Sequence, residues 1–114
     1  MFAMMSQLND QQGILKLRGR LGQDEVDRIL IAIERIVAKD CTQVILDLGG
    51  VTHADFRALR PLFRMSGRFE QQGHELRATN MNDYIRDVFW VAFAGEGEAL
   101  IDEPEAELSD VVNG

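Results

Sequence analysis

What the chain lacks narrows it quickly. It has one cysteine, Cys41, in 114 residues, which excludes an internal disulfide and fits a reducing compartment. No apolar run reaches the roughly 18 residues of a membrane helix. The start, Met1-Phe2-Ala3-Met4-Met5, has neither a basic segment nor a long apolar one, so no signal peptide is expected. The expected location is therefore the cytoplasm, with no direct membrane insertion. Prolines number two, Pro61 and Pro104, which leaves long stretches free to form regular structure. Cations are missing altogether after Arg86, although seven acids follow Gly95.

What is present reads as one domain with an extension. Residues 1–94 balance twelve acids against twelve cations, so the net charge of −7 belongs to the last twenty residues. The expected division is a domain over 1–95 and an acidic tail over 96–114, solubilising or regulatory in character. Phe2 to Leu8 reads as a weak edge strand, followed by the polar turn Asn9 to Gly13. Ile14 to Arg20 alternates, with Leu15 and Leu17 on one face and Lys16 and Arg18 on the other. Val26, Ile29, Leu30, Ile33 and Ile36 or Val37 recur at helical spacing across Gln23–Lys39, with Asp24 and Glu25 at the favourable end.

Val44 to Leu48 is the central strand. Its short, nearly continuous apolar run predicts burial on both faces, and Gly49-Gly50 predicts a turn directly after it. Asp55 stands where a helix cap would, and a second helix is expected to stop at Gly73. Pro61 would sit in the second turn of a helix begun at Asp55, at a cost of about 3 kcal/mol. The spacing therefore predicts a separate turn over 55–59, with regular helix from near Pro61; one kinked helix is the alternative. His74 to Thr79 is a further strand with Leu76 and Ala78 inward. Asn80 or Asn82 caps a third helix that Gly95 closes. The fold class is α/β: a mixed sheet of four or five strands and three main helices, ordered β-β-α-β-α-β-α. It starts with an antiparallel hairpin and continues with parallel strands.

The segment Gly19-Arg20-Leu21, a helix, and then Val44-Ile45-Leu46-Asp47-Leu48-Gly49-Gly50-Val51-Thr52-His53-Ala54-Asp55-Phe56-Arg57-Ala58-Leu59 resembles the STAS domain of anti-sigma factor antagonists. The resemblance covers about residues 2–95 and agrees with the element order above. It implies a protein partner, an anti-sigma factor or kinase-like protein, and a switch by phosphorylation at the start of the second helix. At that hydroxyl position this chain has Phe56, followed by Arg57 and Ala58. A phenyl ring has no oxygen to esterify, so no phosphate charge can be installed there.

Arg57, Arg60, Arg64 and Arg68 fall within about 80° of one another on a helix of 100° per residue. They are either a solvated face or a dock for an acidic partner, and the acidic tail is a candidate intramolecular occupant. Trp90 points away from the apolar face that contains Met81, Tyr84, Ile85, Val88, Phe89 and Ala92. It belongs either to a helix buried on two sides or covered by the tail, or to an interaction hot spot or homodimer patch shared with Val91 and Phe93. Expected partner-binding residues are thus Thr52, His53, Asp55, Phe56, Arg57, Arg60, Arg64, Arg68 and Trp90.

No catalytic constellation is seen. His53 and Asp55 have no third ligand at metal spacing, and Gly49-Gly50 has no P-loop lysine. Scattered cations without interleaved aromatics point away from nucleic acid. The expectation is a non-enzymatic interaction module, with no metal or cofactor and without phosphorylation at the usual site. The alternative is an accessory subunit of an ABC-type transporter that docks on its ATPase.

Overall fold

A computed structural model describes residues 1–93. The expected helix stop at Gly95 and the acidic extension lie outside the described residues. The strands are β1 (Phe2–Asn9), β2 (Gln12–Leu21), β3 (Gln43–Ala54) and β4 (Glu75–Thr79), and the helices are α1 (Gln23–Val37), α2 (Arg60–Gln71) and α3 (Asp83–Phe93). The sheet order is β1-β2-β3-β4, with β1 antiparallel to β2 and the other pairs parallel. Architecture and element order are those expected.

Periodicity explains which face is buried. In β2, β3 and β4 the residues Leu15, Leu17, Val44, Leu46, Leu48, Leu76 and Ala78 are buried, and they join one core with Val26, Ile29, Ile33 and Ile36 of α1. Phe63 of α2 meets Phe89 of α3 edge-on at 6.0 Å, a geometry the ring quadrupoles favour. The other sheet face is less covered. Ile14, Ile45, Asp47 and Arg77 are half-buried there, and Lys16 is exposed. Burial of β3 on both faces is therefore a wrong expectation: the helices cover one face, and Asp47 sits on the other, where a carboxylate stays hydrated.

The glycine pair also behaves differently from expectation. Gly49-Gly50 does not turn the chain, because β3 runs through it to Ala54. Instead β3 bulges twice. Lys16 pairs with Asp47 but Arg18 with Gly50, and Gly19 pairs with Val51 but Arg20 with His53. Each extra residue reverses which side chains face inward. After buried Val44, Leu46 and Leu48 the buried residue is Val51, and Thr52 and His53 both end up exposed. Glycine is required at position 50, since a Cβ there would lie 2.8 Å from Arg18 Cγ and 3.0 Å from the Leu17 carbonyl oxygen.

Beyond β3, Asp55 caps a 3₁₀ turn over Phe56–Leu59, and α2 starts at Arg60 with Pro61 in its first turn. Proline is tolerated there because the first N–H groups of a helix have no partner within it. The separate turn expected from Pro61 is thus found. Gly73 ends the α2 region at φ +81°, as a left-handed stop requires. Asn82 caps α3, its Oδ1 accepting from Ile85 N at 2.8 Å.

Candidate functional site

The double bulge and the 3₁₀ turn build a projecting corner where β3 passes to α2. Its backbone is held from below, where Asp55 N donates to the Leu21 carbonyl oxygen at 3.0 Å. The Asp55 carboxylate accepts from Arg57 N at 3.0 Å and lies 3.6 Å from Arg57 Nε. One carboxylate thus caps the turn and anchors the arginine stem.

Under the corner, Ala58 and Leu59 are buried and tie the turn into the core. Above it, Phe56 keeps 42% of its surface exposed and the Arg57 side chain 78%. Thr52 Oγ1 donates to the Gly19 carbonyl oxygen at 3.3 Å, and His53 Nδ1 lies 3.1 Å from Thr52 Oγ1. Thr52, His53, Asp55, Phe56 and Arg57 are therefore brought together on one exposed ledge.

The arginine stripe is present in modified form. Arg57 belongs to the 3₁₀ turn, so only Arg60, Arg64 and Arg68 share the α2 helix, spaced four residues apart and all exposed. None of these three forms an ion pair with a described residue. Their stripe leads away from the ledge along α2, opposite buried Leu62, Phe63, Ser66 and Phe69.

Trp90 is 40% exposed on α3, beside Val91 at 64%, and the side chain of Phe93 lies outside the described residues. From α3, Tyr84 reaches the corner, its ring edge-on to His53 with centroids 6.1 Å apart. Tyr84 is 50% exposed, so its expected place on the apolar face is corrected. Sequence reasoning missed Tyr84 because it stands next to core residue Ile85. Its position in the first turn of α3, where a helix end rises clear of the core, was the available signal. Gln23 and Asp27 of α1 were missed as well. With Asp55, Arg57, Ala58 and Pro61 they line a cavity of about 440 Å³, a contact between elements distant in sequence.

Chemically the ledge offers an aromatic ring, a guanidinium paired with a carboxylate, and a hydroxyl–imidazole pair, all on the surface. Among the described residues no cluster of three or more His, Cys, Asp or Glu could hold a metal. No helix among them is long and apolar enough to cross a membrane.

Comparison with known proteins agrees with this geometry. A family model described as "Mlab, STAS domain" matches residues 4–101. The anti-sigma factor antagonist SpoIIAA in its unphosphorylated form is similar in structure, with a TM-score of 0.65 at 19% identity over 98% of this chain and 99% of that one. The phosphorylated form of SpoIIAA, a Bacillus cell fate determinant, gives 0.60 at 21% identity over 96% and 99%. An anti-sigma factor antagonist from Mycobacterium paratuberculosis gives 0.65 at 11% identity over 100% and 96%. At these identities the structures speak for the fold alone. No curated protein matches the sequence.

Proposed function

The chain belongs to the STAS domain family, and from that premise we propose that it is a non-enzymatic regulatory module that docks a protein partner through the Thr52–Arg57 ledge and the α2 stripe. The observation that carries this reading is Phe56. A large aromatic residue left 42% exposed at the head of a capped turn, beside a guanidinium, has the composition of an interface anchor. The same residue supports constitutive docking, since its ring offers no oxygen for a phosphate. The partner class is an anti-sigma factor or a kinase-like relative of one, with an acidic surface that meets Arg57, Arg60, Arg64 and Arg68. The protein then acts in the cytoplasm.

The test is direct binding to anti-sigma-type kinases from the same genome. Phe56→Ala is expected to weaken binding on the order of tenfold or more, as hot-spot truncations do. Replacing the α2 arginines by Gln should weaken it and flatten its salt dependence. Ile31→Ala, on the exposed side of α1, should change nothing. Full affinity in Phe56→Ala would remove the ledge from the interface.

One observation favours a second reading. Trp90 and Val91 are both exposed on α3, and a subunit seated inside an assembly needs more than one contact surface. In that reading the protein is an accessory subunit docked on a transporter ATPase, or pairs with itself through Trp90. Co-purification with the ATPase that depends on Trp90, and not on Phe56, would favour the first of these; concentration-dependent self-association abolished in Trp90→Ala would favour the second.

A further inference from the structure

In an antiparallel pair, a residue bonded to its opposite number has both backbone groups turned toward the partner strand, and its two neighbours have both turned away. Arg20 N donates to the Met1 carbonyl oxygen, and the register of β1 on β2 runs unbroken from Phe2↔Gly19 to Asn9↔Gln12. Ala3, Met5 and Gln7 are therefore bonded to β2, and the N–H and C=O groups of Phe2, Met4, Ser6 and Leu8 point away from it. Natural sheets usually blunt such an edge with lysine, proline or a bulge. This strand has none of these, and its eight residues, Phe-Ala-Met-Met-Ser-Gln-Leu-Asn, carry no charge.

Cations flank this uncharged edge on both sheet faces. On the helix side, Met4, Leu8, Ala32 and Ile36 line a groove of about 310 Å³ whose charged members are Arg35 and Lys39 of α1. Arg28 lies over the Phe2 ring, 5.2 Å from its centroid. On the opposite face Ala3 and Met5 line a cavity with Lys16 and Arg18. None of the five cations forms an ion pair with a described residue. The neighbouring acids are otherwise engaged or stand past the strand's end. Asp47 accepts from Gly49 N and Asn80 Nδ2, Glu25 accepts from Gly22 N, and Asp10 follows Asn9 in the turn to β2.

We propose that β1 is a docking edge for a partner protein, and that its occupant is an extended segment in which apolar and acidic residues alternate. Strand addition gives bonds to the outward backbone groups of Phe2, Met4, Ser6 and Leu8, and alternate side chains then select the occupant. Those side chains fall on opposite faces of the sheet. On the helix side they enter the apolar groove; on the other face they meet Lys16 and Arg18, where carboxylates are favoured. Arg28, Arg35 and Lys39 strengthen the preference for a negative occupant. A second copy of β1 is the poorer one, since it brings no acid and sets the cations of one copy opposite those of the other. The edge uses none of the ledge residues, so it stands or falls separately from the ledge reading.

The probe is an end-blocked octapeptide of alternating Val and Glu, titrated into the full chain at concentrations where the protein is monomeric. Binding should slow exchange of the Met4, Ser6 and Leu8 amides on the order of tenfold or more, and should weaken as salt rises. Lys16→Gln, Arg18→Gln, Arg35→Gln and Lys39→Gln together should weaken it about tenfold, with the Ile33 and Leu46 amides reporting an intact core. Methylating every second peptide nitrogen gives two frames: one keeps the bonds to β1 and should bind, and the other lacks them and should not. Slow exchange of the three amides in the free protein would mean that the edge is already covered, by a second copy where it grows with concentration, and overturns the proposal. So does a peptide that leaves those amides open, behaves alike in both frames, is indifferent to the four substitutions, or binds as well with Lys in place of Glu.

Discussion

The Asp47 carboxylate accepts from Asn80 Nδ2 at 3.1 Å while also accepting from Gly49 N at 3.0 Å. A residue in the middle of β3 thereby fixes both its own first bulge and the link from β4 to α3. Asn80 takes the left-handed conformation, φ +62°, which asparagine tolerates better than most residues. Asn80→Ala should cost about 1–2 kcal/mol, from left-handed strain plus the lost bond. Asn80→Gly should cost less, because only the bond goes. Urea denaturation of the two variants makes the comparison.

Pro61 distinguishes a broken helix from a continuous one. In the first turn of α2 it is accommodated without the roughly 3 kcal/mol penalty of a helix interior. Pro61→Ala should therefore be neutral or destabilise by up to about 1 kcal/mol, since proline also restricts the unfolded chain. A gain near 3 kcal/mol in chemical denaturation would mean that the turn and α2 are one strained helix.

Two glycines in and after α2 should respond oppositely to alanine. Gly67 is exposed in mid-helix, and a Cβ there meets nothing within 4 Å. Gly67→Ala should stabilise by about 0.5–1 kcal/mol. Gly73, at φ +81°, should lose roughly 1–2 kcal/mol on the same change. Thermal melts of both, read against the parent protein, check the pair of signs.

Phe56 and Leu59 share one short turn but have different tasks. Leu59 is fully buried, and Leu59→Ala should cost about 2–5 kcal/mol. Phe56→Ser removes a ring left 42% exposed and should cost less, about 1–2 kcal/mol. A Phe56→Ser loss matching that of Leu59→Ala in urea would make the ring a packing residue and withdraw it as an anchor.

Much of the fold was legible because its signals are local. The alternation of Leu15 and Leu17 with Lys16 and Arg18, the helical spacing of Val26, Ile29, Ile33 and Ile36, and the clash that proline causes all act within a few residues. The site was legible to a lesser degree. Asp55 as a cap and Phe56 at its head follow from adjacent residues. The contact of Tyr84 with His53, and the approach of Gln23 and Asp27 to Arg57, join positions tens of residues apart that no local pattern connects.

The sequence alone determined the element order, the inward faces of β2, α1, α2 and β4 and the break at Pro61, because backbone sterics and side-chain period operate over one or two turns. Tertiary structure decided that one face of β3 stays open, that Gly49-Gly50 bulges where a turn was expected, and that His53 faces Tyr84. Those outcomes depend on how β2 and β3 match in register and on where the helices settle. Both are set by contacts between segments far apart in the chain.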